Sequence, residues 1–291
     1  MSIIGEARFN FHHRLLEAKT LALTKSLVAS NADVGSKLSV SVAGNLLRIL
    51  AMQHDYPLVG GDKSVGQNLG KMFERLTAEF LRATFLRMQD LRPGAWTVQL
   101  LGNSGRSALC NFAQYEHLAY IKEVTSKDPK LAAALGVDYV VSPDIVIYRE
   151  PESDAVLCAK LGLVDNSVGL LSSFRNQRGD RRPCLHASVS AKFTIRSDRA
   201  QNSRTEALNL IRNRKGHLPQ IVVVTAEPLP SRIASIAQGV GDIDCVYHFA
   251  LYELIEAVNQ SGSSNSAQVL DMLVSGNRLR DISDLPLDLA V

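Results

Sequence analysis

Apolar residues recur at three-to-four spacing over residues 14–30 and again over 37–52, which predicts two amphipathic helices. A longer helix is expected at about 65–89, with Leu69, Met72, Phe73, Leu76 and Phe80 on one stripe, broken by Pro93-Gly94. Beyond that break the pattern shortens. YVVSPDIVIY at 139–148, residues 155–160, ASVSAKFTI at 187–195, QIVVVTA at 220–226 and residues 244–249 read as strands. The proline in the first of these marks an irregular strand or strand end. Residues 203–215 read as a helix opened by the capping-box pattern SRTE and closed at Gly216. Two further helices, 251–259 and 267–275, flank the linker-like SGSSNS. The order is helices, a mixed β and α core, then helices. It predicts an α/β fold in a single domain: a helical part at about 1–92, a core at about 93–250 and C-terminal helices at 251–291.

Composition narrows the class. At 291 residues, 46% hydrophobic and 21% charged, the chain is ordinary globular protein, which excludes extended disorder, collagen and coiled coil. No apolar run is long enough to span a membrane, and the N-terminus lacks a signal-peptide core, so a cytoplasmic protein is expected. Cys110, Cys158, Cys184 and Cys245 form no CxxC pair and read as reduced thiols. Charge is more informative. Residues 175–215 carry eleven Lys or Arg against three acids, a local +8 in a chain whose total is +3. A basic segment in an otherwise acidic protein predicts a polyanion met at one face, with a solvated arginine-rich loop as the alternative. The stretch 165–183 within it reads as a long polar loop.

Several motifs fail their tests. The glycine-rich stretch 59–70 has neither GxGxxG after a strand nor GxxxxGK[ST], and GNSGRS around Ser104 departs from GxSxG. The histidines show no metal spacing: His12-His13 reads as surface or helix start, and His248 as a satisfied strand histidine. The aromatic residues form no stacking platform for single strands.

One combination carries chemistry. Ser142-Pro143-Asp144 precedes the apolar IVIY, and Ser190-Ala191-Lys192 lies within the later strand ASVSAKFTI. Strand alternation turns Ser190 and Lys192 to one face and Ala191 to the other. Glu206 follows on the next helix. Asp and Glu are hard oxygen ligands for Mg²⁺, and lysine can orient water or neutralise a phosphate, so the set suits metal-dependent phosphodiester hydrolysis. Each residue also has a plain reading. Asp144 can cap a turn, Glu206 can be the N3 residue of the SRTE capping box, and a helix glutamate such as Glu74 usually faces solvent. Downstream, Arg196-Ser197-Asp198-Arg199 sets two guanidinium forks about a carboxylate. Arginine pairs with guanine and aspartate accepts from cytosine, so the string can read G·C pairs, or else touch phosphates only.

In this order the elements PD(144), SAK(192) and E(206) resemble the PD-(D/E)xK nuclease superfamily, in the rearranged form of the CCGG-cutting type II restriction endonucleases. The resemblance runs from Asn31 to about Arg232. It implies a restriction-endonuclease-like core with a central mixed sheet flanked by helices. Ser190 stands where the first acid of (D/E)xK is lost, and Glu206 supplies the missing carboxylate. Glu74, in FERLTAEF, is the further glutamate, with Glu79 on the same helix as its rival. Mg²⁺ is implied, held by Asp144, Glu206 and the backbone carbonyl of Ala191.

The resemblance also implies that Arg196, Asp198 and Arg199 read CCGG, and that Asp33 and Arg232 read an outer G·C pair, giving GCCGGC. Asp33 reads equally well as a turn residue. The further implications are cleavage after the first base with four-base 5′ overhangs, a homotetramer built as a dimer of dimers, and a cognate DNA cytosine methyltransferase in the host. A palindrome by itself calls for a two-fold symmetric protein. The competing functions are a nuclease of the same superfamily without a fixed sequence, and a DNA-binding protein that does not cut.

Overall fold

The computed structural model describes residues 1–291 apart from 59–65, 103–107, 136–142, 196 and 240; the side chains at 66, 67, 132, 134, 135 and 197–201 are also outside the described set. Helix α1 (Ile3–Glu17) opens on Ser2, whose Oγ accepts the Gly5 N–H at 3.2 Å. It ends before Lys19, which takes φ 52°. The helix expected over 14–30 therefore lies further toward the N-terminus. The cause is local: Ser30 Oγ donates to the Thr20 carbonyl at 2.6 Å, and Thr24 Oγ1 accepts from Val28 N–H at 3.3 Å. Such side-chain bonds hold the 18–36 stretch in turns. Helix α2 (Lys37–Gln53) matches its expectation, capped by Ser36. Helix α3 (Gly66–Thr84) buries Leu69, Phe73, Leu76 and Phe80, then tightens into a 3₁₀ turn at Phe85–Arg87.

Strand β1 (Trp96–Leu100) is too short and mixed to have been legible in the sequence. After α4 (His117–Ser126) and α5 (Pro129–Leu135) comes β2 (Ile145–Arg149). Residues 139–142 of the expected strand, and Ser104, lie outside the described residues. The stretch 155–160 is no strand. It is the short helix α6 (Asp154–Cys158), held to the following loop by Arg175, which forks onto Asp154 at 2.6 and 2.7 Å. Strand β3 (Cys184–Lys192) stops at the lysine, so Lys192 closes the strand instead of lying within it. Helix α7 (Ser197–Asn213) begins six residues ahead of Ser203. The SRTE capping box is thus absent: Ser203 and Glu206 are interior helix residues.

The chain continues through β4 (Gln220–Thr225), α8 (Pro230–Ala237), β5 (Cys245–His248), α9 (Leu251–Gln260), α10 (Ser264–Ser275), β6 (Leu279–Asp281) and α11 (Leu285–Asp288). Strand β6 corrects the expectation of helices alone at 251–291. It is three residues long and recruited by parallel pairing with β5.

The six strands form one sheet in the order β1-β2-β3-β4-β5-β6, antiparallel through β3 and parallel from β3 to β6. Helices connect the parallel strands, which bury both faces and read as the continuous apolar run IVVV. Helix α3 packs on α1, β1 and β3, α9 packs on α2, and α10 packs on α8. Phe73 sits at the centre, 5.7 Å from Phe193 and 6.4 Å from Phe249, each just past the end of a strand. His12 is buried, with its Nε2 2.7 Å from the Phe249 carbonyl oxygen, which corrects its reading as a surface residue. No described helix is long and apolar enough to cross a membrane.

Candidate active site

The topology explains why one corner of the sheet gathers the chemistry. β2 runs antiparallel to β3, so the residue ahead of β2 arrives beside the C-terminal end of β3. That residue is Asp144. Its Oδ2 accepts from Lys192 Nζ at 2.8 Å, from the Ala191 N–H at 2.8 Å, and from Ser190 Oγ at a long 3.5 Å. Residues 190–192 extend past the last β2 pairing, Ile145 with Val189, so their edge toward β2 is open. The N–H and C=O of one strand residue point to the same edge, and the Ala191 carbonyl therefore faces the Asp144 side. The Lys192 carbonyl points the other way, where it accepts from Thr225 Oγ1 at 2.8 Å.

Glu206 approaches from α7. It is 6% exposed, and its Oε1 is buried with no hydrogen-bond partner among the described residues. Burial pushes its carboxyl up to about 8, with Asp144 adding to the rise and Lys192 opposing it. Glu74, half-buried on α3, is pushed up to about 7 by burial and by the charge of Asp144, against Lys192 and Lys71. For Lys192, burial favours the neutral amine, but Asp144, Glu206 and Glu74 outweigh it and hold the ammonium above its ordinary value. Glu79 is committed elsewhere, to Arg14 and Arg75. Of the two candidates, Glu74 is the one whose field reaches the corner.

The predicted outer pair, Asp33 and Arg232, also meets. Arg232 Nη2 binds Asp33 Oδ2 across 199 residues of chain. Asp33 is a turn residue as well, since its Oδ1 accepts the Gly35 N–H at 3.1 Å. Arg196 lies outside the described residues. Asp198 and Arg199 stand in the first turn of α7, with side chains outside the described set. Part of the basic run 175–215 is absorbed internally: Arg175 is buried on Asp154, and Arg204 pairs with Asp242 at 2.6 Å. Sequence reasoning missed Thr225, Glu227 and Asn31, which surround the same end of the sheet. The available signal was TAEP, an acid directly after a predicted strand, where open α/β sheets gather their sites.

The residues can be tested against a divalent cation. An orphaned buried carboxylate oxygen, a second carboxylate within the field of the same lysine and an edge-facing carbonyl are hard donors of the right type. Among the described residues, no three His, Cys, Asp or Glu side chains form a ready cage. A cation here would rest on few protein ligands, as Mg²⁺ sites commonly do.

An aspartate ahead of one strand, a lysine ending its neighbour and a buried glutamate on the next helix are the residue types that metal-assisted phosphodiester hydrolysis needs, and comparison with known proteins identifies the family. The model of a family described as NgoMIV restriction enzyme matches residues 11–291. Type II restriction enzyme NgoMIV of Neisseria gonorrhoeae is 45% identical over 289 residues, covering 99% of each chain. The chain is a type II restriction endonuclease. It belongs to the NgoMIV restriction enzyme family. A solved restriction endonuclease PspGI–substrate DNA complex aligns over 99% of this chain and 92% of its own at 12% identity, with a TM-score of 0.30, too low to add to the assignment.

Proposed function

We propose that this enzyme is a single-domain, Mg²⁺-dependent endonuclease that cuts double-stranded DNA at the palindrome GCCGGC, leaving 5′-phosphate ends with four-base 5′ overhangs. The observation that carries the reading is the convergence of Asp144, Lys192 and a buried, partnerless Glu206 Oε1 at the open end of β3. Asp144, Glu206 and the Ala191 carbonyl would hold the cation. When bound, it stabilises charge on the phosphate and on the leaving oxygen and acidifies water.

The protein groups do the rest. Lys192, kept cationic by its three acidic neighbours, neutralises the phosphate and orients the attacking water in line with the 3′ oxygen. Ser190 holds Asp144 in place. Glu74, pushed up to about 7, is about half protonated at neutral pH until positive charge reaches the corner. Arg196, Asp198 and Arg199 read the CCGG core, and Asp33 with Arg232 reads the outer G·C pair. The Asp33–Arg232 contact supports this, because it unites two distant segments in one donor-and-acceptor unit suited to a single base pair.

A homotetramer fits the exposed side chains of the loop after α6, where Leu161 is 80% and Leu171 91% exposed, with Leu163 and Val168 beside them. Exposed apolar side chains concentrated in one loop are what a further subunit contact would cover. A cytosine methyltransferase guarding the same sequence, and a cytoplasmic location, follow for an enzyme that would otherwise cut its own genome. The test is cleavage of plasmids carrying one GCCGGC, two GCCGGC, or CCGG in other flanks, by wild type and Asp144→Ala with Mg²⁺ or Ca²⁺. Discrete Mg²⁺-dependent cutting at GCCGGC, lost in Asp144→Ala, is expected, and faster cutting of two sites supports the tetramer. Tight binding without cutting under every condition overturns the catalytic reading.

A further inference from the structure

Glu227 has no part in the chemistry above, yet it lies where the end of the lysine strand, the segment entering α7, the start of α8 and the Asp33 turn meet. It follows β4 by two residues and is fully buried. Its Oε2 accepts the Ile195 N–H at 2.8 Å, and its Oε1 accepts the Leu229 N–H at 3.2 Å. Ile195 immediately precedes the string Arg196-Ser197-Asp198-Arg199. Leu229 is the N-cap of α8, the helix that carries Arg232. Arg232 Nη1 lies 4.0 Å from Glu227 Oε2, while its Nη2 binds Asp33.

The backbone of the same residue reaches the catalytic strand. The Glu227 N–H donates to Thr225 Oγ1 at 3.1 Å, and that hydroxyl donates to the Lys192 carbonyl at 2.8 Å. Asn31, two residues before Asp33, donates to the neighbouring Ala226 carbonyl at 2.8 Å. A buried carboxylate is costly unless it is hydrogen-bonded. Burial pushes this one up to about 7, against the pull of its two backbone N–H partners and Arg232. A site that needed only to fill space would hold an apolar residue.

We propose that Glu227 is a positioning residue that fixes the inner base-reading segment, the outer Asp33–Arg232 pair and the end of the lysine strand relative to one another, so that recognition of the outer base pair is coupled to cleavage. The inference rests on the base-reading roles given above. Displacing a reacting or reading group by about 1 Å can cost on the order of 100-fold in rate, so a loosened junction should be felt in discrimination.

The experiment compares full-length wild type, Glu227→Gln and Glu227→Ala. Each is assayed for kcat/KM on duplexes containing GCCGGC, ACCGGT and GCGCGC, and for thermal unfolding. Gln keeps the shape but can accept only one of the two N–H bonds, and it decides the matter if Ala does not fold. The preference of wild type for GCCGGC over ACCGGT is expected to fall about 10-fold in Glu227→Gln, through kcat on the cognate duplex more than KM. An equal loss on all duplexes, with the preference intact, makes Glu227 a structural carboxylate and overturns the proposal while the function stands. A wild type without preference among the duplexes sinks the base-reading roles, and this proposal with them.

Discussion

Two clusters of buried charge in this molecule make opposite use of similar residues. In one, Arg8 of α1 forks onto Glu253 of α9 at 3.0 and 2.6 Å and onto Asp281 of β6 at 2.8 and 2.9 Å. Asp281 also accepts from the N–H of Leu251 and of Ser283, both at 2.9 Å. Burial alone would raise both acids, but the Arg8 bonds and charge outweigh it and hold them below the usual carboxylate range. In the other cluster, Lys192 faces Asp144, Glu206 and Glu74. There burial wins, two acids are pushed up, and Glu206 Oε1 stays without a partner. One cluster is satisfied by the fold and ties three elements together. The other is left open, with its two raised acids holding protons near neutral pH that a bound cation would displace.

The largest effect that separates them is on stability. Arg8→Ala strands two buried carboxylates and is expected to cost about 3–5 kcal/mol in urea denaturation. Glu206→Gln replaces a carboxyl that burial keeps largely protonated at neutral pH with a neutral amide, so it should cost little in the metal-free protein while abolishing cleavage. Should Arg8→Ala cost less than about 1 kcal/mol, the distinction between a closed and an open cluster fails.

How much of this was written in the sequence differs between the same two regions. The convergence of Asp144, Ser190, Lys192 and Glu206 was legible because they lie in strings whose order carries the chemistry. The strand ASVSAKFTI and the run IVVV also announced β3 and β4 by composition. The Arg8 cluster was not legible, since its partners lie 245 and 273 residues away and nothing local marks them. Residues 18–30 failed as a helix because Thr and Ser side chains bond to the backbone there, and periodicity ignores that competition. The capping-box reading of Glu206 failed for the converse reason. The helix begins six residues earlier than SRTE suggested, and a buried glutamate then looked like an N3 residue.

The pH dependence of stability sharpens the comparison with a smaller effect. Glu206 at about 8 and Glu74 at about 7 bind protons in the folded state that the unfolded chain has already released. Their protonated forms therefore favour folding at low pH, and stability falls as pH rises through the folded values. Buried His12 and His248, lowered to about 4, act in the opposite direction but only below their ordinary value of 6.5. Between about pH 7 and 8.5 Glu206 and Glu74 set the slope together with Glu227, which burial also pushes up to about 7. The metal-free enzyme should lose on the order of 1–2 kcal/mol across that window, and Glu206→Gln should flatten most of the loss. Thermal unfolding against pH measures it. Added Ca²⁺ should stabilise wild type more at pH 8.5 than at pH 7, because it binds the ionised form. A wild-type profile that is flat without metal would mean the corner is already neutralised by the protein.

The smallest effect discriminates two glutamates on one helix. Glu79 is bound to Arg14 and Arg75, whose side chains are 43% and 55% exposed, so this pair belongs to the solvated side of the molecule. Exposed ion pairs contribute little, and Glu79→Gln should lower stability by less than about 1 kcal/mol and change cleavage by less than about twofold. Glu74→Gln removes a carboxylate that Asp144 and Lys192 feel directly, so it should lower the cleavage rate while leaving the urea midpoint nearly unchanged. The pair of variants, assayed side by side at saturating duplex, separates a residue of the open cluster from one that merely shares its helix. Equal effects on cleavage would return Glu74 to the surface and leave the corner with two acids, Asp144 and Glu206, to hold a cation.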